Sequence, residues 1–88
     1  METSKIISDA VRSIPLEIKK EVSFKFAVSD KIDRLMKEKG MTQKELARKM
    51  GKTEAEVSVW LTGRHNFTLR TLAEISVFFE EDLIHITK

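Results

Sequence analysis

Thr42-Gln43-Lys44-Glu45 and Thr53-Glu54-Ala55-Glu56 are the stretches that decide how this chain folds. Each has the S/T-x-x-E spacing of a capping box. The Thr hydroxyl accepts from the backbone N–H three residues on, and the Glu carboxylate accepts from the N–H of the Thr. Each box therefore predicts a helix start. The three glycines supply the stops: Gly40 before the first box, Gly51 before the second and Gly63 beyond the second helix. All three sit where a left-handed residue, which glycine adopts without strain, would close a helix. The prediction is a helix up to Gly40, a short helix over 43–50, a turn through Gly51, and another short helix over 54–62. Two short helices joined by a tight Gly-containing turn form a helix-turn-helix.

The flanks are read outward from that unit. Phe24, Ala27, Val28, Ile32 and Leu35 recur at helical spacing and predict a helix running to Gly40. Val22, Phe24, Phe26 and Val28 also alternate with period two, a strand signal that the longer helical stripe outweighs. Further upstream, Ile6, Ile7, Ala10, Val11 and Ile14 allow a short amphipathic helix. Pro15 interrupts it, and could itself take the first position of a helix containing Leu16, Ile18 and Val22. Within the central unit, Leu46, Ala47 and Met50 should face inward from one helix and Val57, Trp60 and Leu61 from the other. Met41 should staple onto Leu46. Thr68 is placed to cap a further helix with Leu69, Leu72, Ala73, Ser76 and Phe79 as its buried face. The segment Asp82-Leu83-Ile84-His85-Ile86-Thr87-Lys88 suits either a short strand or a terminal helical turn. These readings divide the chain into an N-terminal arm (1–22), a central domain (23–80) and a C-terminal tail (81–88).

Composition narrows the function. Eighty-eight residues make one small domain with a modest core. A hydrophobic content of 41% against 34% charged places it among globular rather than disordered chains. There is no cysteine for a disulfide or a thiolate metal site. Two isolated histidines and no Gly-rich phosphate loop leave no catalytic or metal-binding constellation, so neither an enzyme nor a cofactor is expected. No signal peptide and no membrane-length apolar run are visible, so a cytoplasmic location is expected. Charge is unevenly placed. Residues 31–52 hold Lys31, Arg34, Lys37, Lys39, Lys44, Arg48, Lys49 and Lys52 against Asp33, Glu38 and Glu45, whereas residues 71–88 hold Glu74, Glu80, Glu81 and Asp82 against Lys88. A basic middle with an acidic end suits binding of a polyanion through one face, although a solvated surface would carry the same charges.

Three stretches carry a resemblance: Thr42-Gln43-x-x-Leu46-Ala47-x-x-x-Gly51, then Val57-Ser58-x-Trp60-Leu61-x-Gly63-Arg64, then Phe67-Thr68-Leu69-x-Thr71-Leu72. The chain resembles the XRE (Cro/cI-type) helix-turn-helix family. Residues His65 to Leu72 are similar to those of small stand-alone members, among them HigA-like antitoxins. The resemblance implies an all-α, lambda-repressor-like domain of about five helices with an N-terminal extension, binding palindromic double-stranded DNA as a homodimer to repress transcription. It also implies, as the rival role, neutralisation of a toxin partner. Carried over by position, Thr53, Glu54, Ala55, Ser58 and Val59 fall on the outward face of the helix that reads bases. Gln43, Lys44, Arg64, His65, Asn66 and Arg70 fall at phosphate-gripping positions. The chain departs from the family at Glu54 and Ala55, where members often carry Gln, Ser, Arg or Lys. Glutamate can accept from a cytosine amino group and alanine can meet a thymine methyl. His65 is either a phosphate donor or a turn residue, whereas Trp60 and the methionines are core. Apolar residues left over after packing, Val77, Phe78, Leu83, Ile84 and Ile86, are the expected dimer interface.

Overall fold

The computed structural model describes residues 13–86, and all regular structure among them is helical. Four helices follow one another: α1 Leu16–Glu38, α2 Gln43–Met50, α3 Glu54–Trp60 and α4 Leu69–Phe79. The short helix considered around Ile6–Ile14 falls almost wholly outside the described residues. The period-two signal at Val22–Val28 is overruled: these residues are helical.

Both capping boxes form. Thr42 Oγ1 accepts from the Glu45 amide at 3.1 Å, and the Glu45 carboxylate accepts from the Thr42 amide at 3.2 Å. At the second box the corresponding distances are 3.1 Å and 2.7 Å, from Thr53 and Glu56. Thr68 caps α4 by accepting from the Thr71 amide. The stops are equally local. Gly40, Gly51 and Gly63 all have positive φ. After α1 and α2 the next amide reaches back five residues, from Met41 to the Met36 carbonyl and from Lys52 to the Ala47 carbonyl, which satisfies carbonyls the helix ends leave open. α4 closes the same way, but with Glu80 at φ 56° and no glycine.

The core is Val28, Ile32, Leu35 and Met36 of α1, Leu46 and Ala47 of α2, Val57 and Trp60 of α3, and Leu72, Ile75 and Phe79 of α4, joined by Leu83. Met41, Met50, Leu61, Phe67 and Phe78 pack around it.

Several expectations change. Pro15 precedes α1 as its N-cap instead of occupying its first turn, and it offers no side-chain cap. Phe24 and Ala27 are exposed, because the first half of α1 reaches past the core and meets the rest of the chain on one side, where Phe26 lies over Gly63. α3 ends at Trp60, with Leu61 as its C-cap. In α4 the inward face is Leu72, Ile75 and Phe79; Leu69 lies about 85° from its centre and is 73% exposed, and Ala73 is exposed as well. The tail forms neither strand nor helix among the described residues. It folds back so that Leu83, expected at a dimer interface, becomes core at 6% exposure. Two clamps hold it there: the Leu83 amide donates to Ser76 Oγ at 3.0 Å, and Lys31 Nζ donates to the Asp82 carbonyl at 2.6 Å.

Candidate nucleic-acid interface

α3 is short, so its faces are set by a few positions. Val57 and Trp60 are buried; Glu54, Ala55, Ser58 and Val59 are exposed. At 100° per residue the exposed four centre opposite the buried two, so one face anchors the helix and the other points into solvent. Thr53 is also exposed, but its hydroxyl oxygen serves the cap. Glu56 Oε2 is held by the Thr53 amide, which leaves Glu54 as the acid on the outward face with no ion pair among the described residues.

Two elements flank that face. Gln43 and Lys44 are exposed in the first turn of α2, where Thr42 takes up the Glu45 amide and the amides of Gln43 and Lys44 have no intrahelical acceptor. A helix start with open N–H groups attracts phosphate. The backbone hydrogen bond to Thr42, more than the side-chain one, holds the Glu45 carboxyl below the ordinary glutamate range, so this cap stays ionised. On the other flank, the α3–α4 loop is braced from within. Thr62 Oγ1 donates to the Val59 carbonyl at 2.8 Å and accepts from the Arg64 amide at 3.1 Å. Gly63, at φ 78°, is buried beneath the Phe26 ring; a Cβ there would lie 2.6 Å from two ring carbons. Arg64 and Asn66 emerge exposed, and His65 is half-buried with its ring edge-on to Phe67 at 4.7 Å. Arg70 is exposed at the start of α4.

The basic residues divide into two groups. Lys31 pairs with Glu81, Lys37 with Asp33, Arg34 with Glu38 and Lys52 with Glu74. Lys39, Lys44, Arg48, Lys49, Arg64 and Arg70 enter no ion pair among the described residues. Lys19 and Lys20 on α1 are likewise without an ion pair; apart from these and Lys39, the cations left for a polyanion lie on α2, the α3–α4 loop and the start of α4. That set contains three of the predicted phosphate contacts. Two features had escaped sequence reasoning. Thr62 braces the loop, which its place two residues before Arg64 could have suggested. Phe26 roofs Gly63 from far away in the chain, and no local signal announces that.

A helix-turn-helix family model matches residues 32–86. The chain belongs to the XRE-type helix-turn-helix family. As a member it is a DNA-binding transcription regulator, and the unit built from α2 and α3 is the motif that gives the family its name. No curated protein and no solved structure matches the chain. None of the described helices is long and apolar enough to cross a membrane.

Proposed function

We propose that this helix-turn-helix protein is a sequence-specific repressor that binds a palindromic operator as a homodimer. The observation that carries the reading is the α3 face of Glu54, Ala55, Ser58 and Val59, exposed opposite its buried anchor and flanked by unpaired cations. In this reading α3 enters the major groove. Glu54 accepts from a cytosine amino group and Ala55 meets a thymine methyl, with Thr53, Ser58 and Val59 beside them. Gln43, Lys44, Arg64, His65, Asn66 and Arg70 position the protein on the backbone and carry no sequence information. The second copy meets the outer face of α4 and the tail. Leu69, Val77, Ile84 and Ile86 are exposed there and Phe78 is half-buried beside them. Leu83 drops out because it is core. Residues 23–80 then form the DNA-binding body, with 1–22 as an arm and 81–88 as the dimerising tail. An antitoxin that represses its own operon would use the same DNA face and add a toxin-binding surface elsewhere.

The test is binding to the gene's own upstream DNA, followed by footprinting and salt titration. With about six phosphate contacts per dimer, the log–log salt slope should be about −5. Arg64→Ala should weaken all sequences alike, whereas Glu54→Gln should change preference at one base pair per half-site by about 1–3 kcal/mol. A slope near zero, or Glu54→Gln without effect on either affinity or preference, sinks this reading. Val77→Glu should leave a folded monomer that has lost cooperative binding to a palindrome. Truncation after Glu81 would remove Leu83 and test stability instead.

A further inference from the structure

The first half of α1 meets the rest of the chain beside the loop that carries Arg64. Phe26 lies over Gly63, and Arg64 emerges exposed next to it. Upstream of Phe26 the helix continues to Leu16, outside the family-matched segment 32–86. Its charges are sorted by side. At about 100° per residue, Lys19, Ser23, Leu16 and Lys20 fall about 20°, 60°, 80° and 120° round the helix from Phe26. All four are exposed, and together they line a shallow cleft. Neither lysine has an ion pair among the described residues; Lys20 leans over the Phe24 ring at 5.8 Å, a contact of small worth at an exposed site. The acids of this stretch, Glu17 and Glu21, fall about 180° and 220° round, and Glu21 is occupied by Lys25 at 2.7 Å. The next acid on the cationic side is Asp30, past Phe26 and about 16 Å from Lys19 along the axis.

We propose that this cleft is a further DNA-backbone site, in which Lys19 and Lys20 of each copy straddle one phosphate over Ser23. Two features select DNA as the occupant. The first is charge: two unpaired cations with no acid between them suit a polyanion, and the acids of the same stretch are turned to the other side. The second is continuity with the DNA-gripping loop. Lys19 stands seven residues upstream of Phe26 on the same side, about 10 Å along the axis, and a DNA strand advances about 3.4 Å per phosphate. A strand gripped at Arg64 therefore has a phosphate about three steps further on to offer the cleft. The contact rests on the reading of Arg64 as a backbone contact. It carries no sequence information and lengthens the backbone track of each half-site beyond the helix-turn-helix unit.

The test is a salt titration of the full chain on the gene's upstream DNA, comparing wild type with the double variant Lys19→Gln, Lys20→Gln and with Lys25→Gln. Lys25→Gln removes a cation from the opposite side of the same helix and serves as the control for charge in general. Loss of one phosphate per copy should flatten the log–log slope of the double variant by about 2, so that the wild-type advantage shrinks about tenfold between roughly 50 and 200 mM salt. Lys25→Gln should leave the slope in place, and the melting temperatures of all three proteins should agree. In a hydroxyl-radical footprint the double variant should lose protection at phosphates next to those that Arg64→Ala exposes. A steep wild-type slope that the double variant shares overturns the arm contact alone and leaves the operator reading standing. An equal flattening by Lys25→Gln overturns it as well, because the effect is then one of net charge and not of a site. A wild-type slope near zero sinks the operator reading and this contact together.

Discussion

The α2–α3 unit and the first half of α1 are comparable stretches of helix, and they are held by opposite means. α2 and α3 are eight and seven residues long, each with a complete capping box and two buried apolar anchors. The first half of α1, Leu16 to Ala27, has no side-chain cap and leaves Leu16, Ile18, Val22 and Phe24 exposed. The contrast teaches that caps and glycines determine where helices begin and end, whereas burial depends on which other elements come alongside. The unit that meets its neighbours forms the helix-turn-helix motif. The stretch that outruns them keeps most of its side chains in solvent, with Phe26 over Gly63 as a point of contact.

The largest test of that contrast compares Leu46→Ala with Val22→Ala. Leu46 is fully buried, and its truncation should cost about 2–5 kcal/mol through lost burial and a cavity. Val22→Ala should change the stability of the dilute protein by no more than about 0.5 kcal/mol. Denaturant unfolding measures both, and similar losses would erase the distinction between the two regions.

The glycines sharpen it next. Gly51→Ala meets nothing within 4 Å, so its cost is the left-handed backbone alone, about 1–2 kcal/mol. Gly63→Ala adds the encounter with Phe26 and should cost more. Combining it with Phe26→Ala should bring the two glycine sites level. A Gly63→Ala penalty unaffected by Phe26→Ala would show that the loop is not seated under that ring.

Caps give a smaller effect. Thr53→Ala should lower stability by about 1 kcal/mol, whereas Pro15→Ala removes no side-chain cap and should do far less. Thermal melts of the two variants check this.

The smallest effect is the acid response of the first capping box. The Glu45 carboxyl lies below its ordinary value of 4.5 in the folded chain, so the ionised cap favours the folded state above that value. The contribution disappears as pH falls through the lower, folded value, because the protonated group no longer accepts as a carboxylate. The stability difference between wild type and Glu45→Gln should therefore shrink on acidification from about pH 5 downwards. A difference independent of pH would mean that the carboxylate does not act through its charge.

Much of the candidate site was legible because its signals are short-range. The α2 bounds, both boxes, the Thr68 cap and the positive φ of all three glycines follow from residues within four positions of one another. The outward face of α3 was legible for the same reason, since Val57 and Trp60 fix its rotation. The face of α4 was misread at Leu69 and Ala73 and missed at Ile75. A helix with apolar residues on nearly every side has no unique inward stripe until a partner chooses one. The α4 stop was equally hidden, because Glu80 takes a left-handed conformation without glycine to announce it.

By itself the sequence determined the starts of α2, α3 and α4, the glycine stops of α1 and α2 and the helix-turn-helix order, because capping and left-handed closure are settled by hydrogen bonds among near neighbours. Only the tertiary structure decided that Leu83 belongs to the core, that Phe26 roofs Gly63 and that Lys31 and Lys52 are tied up by carboxylates elsewhere in the chain. Those outcomes join residues up to fifty positions apart, and which of several equally apolar or equally charged side chains meet is fixed by how the helices stack.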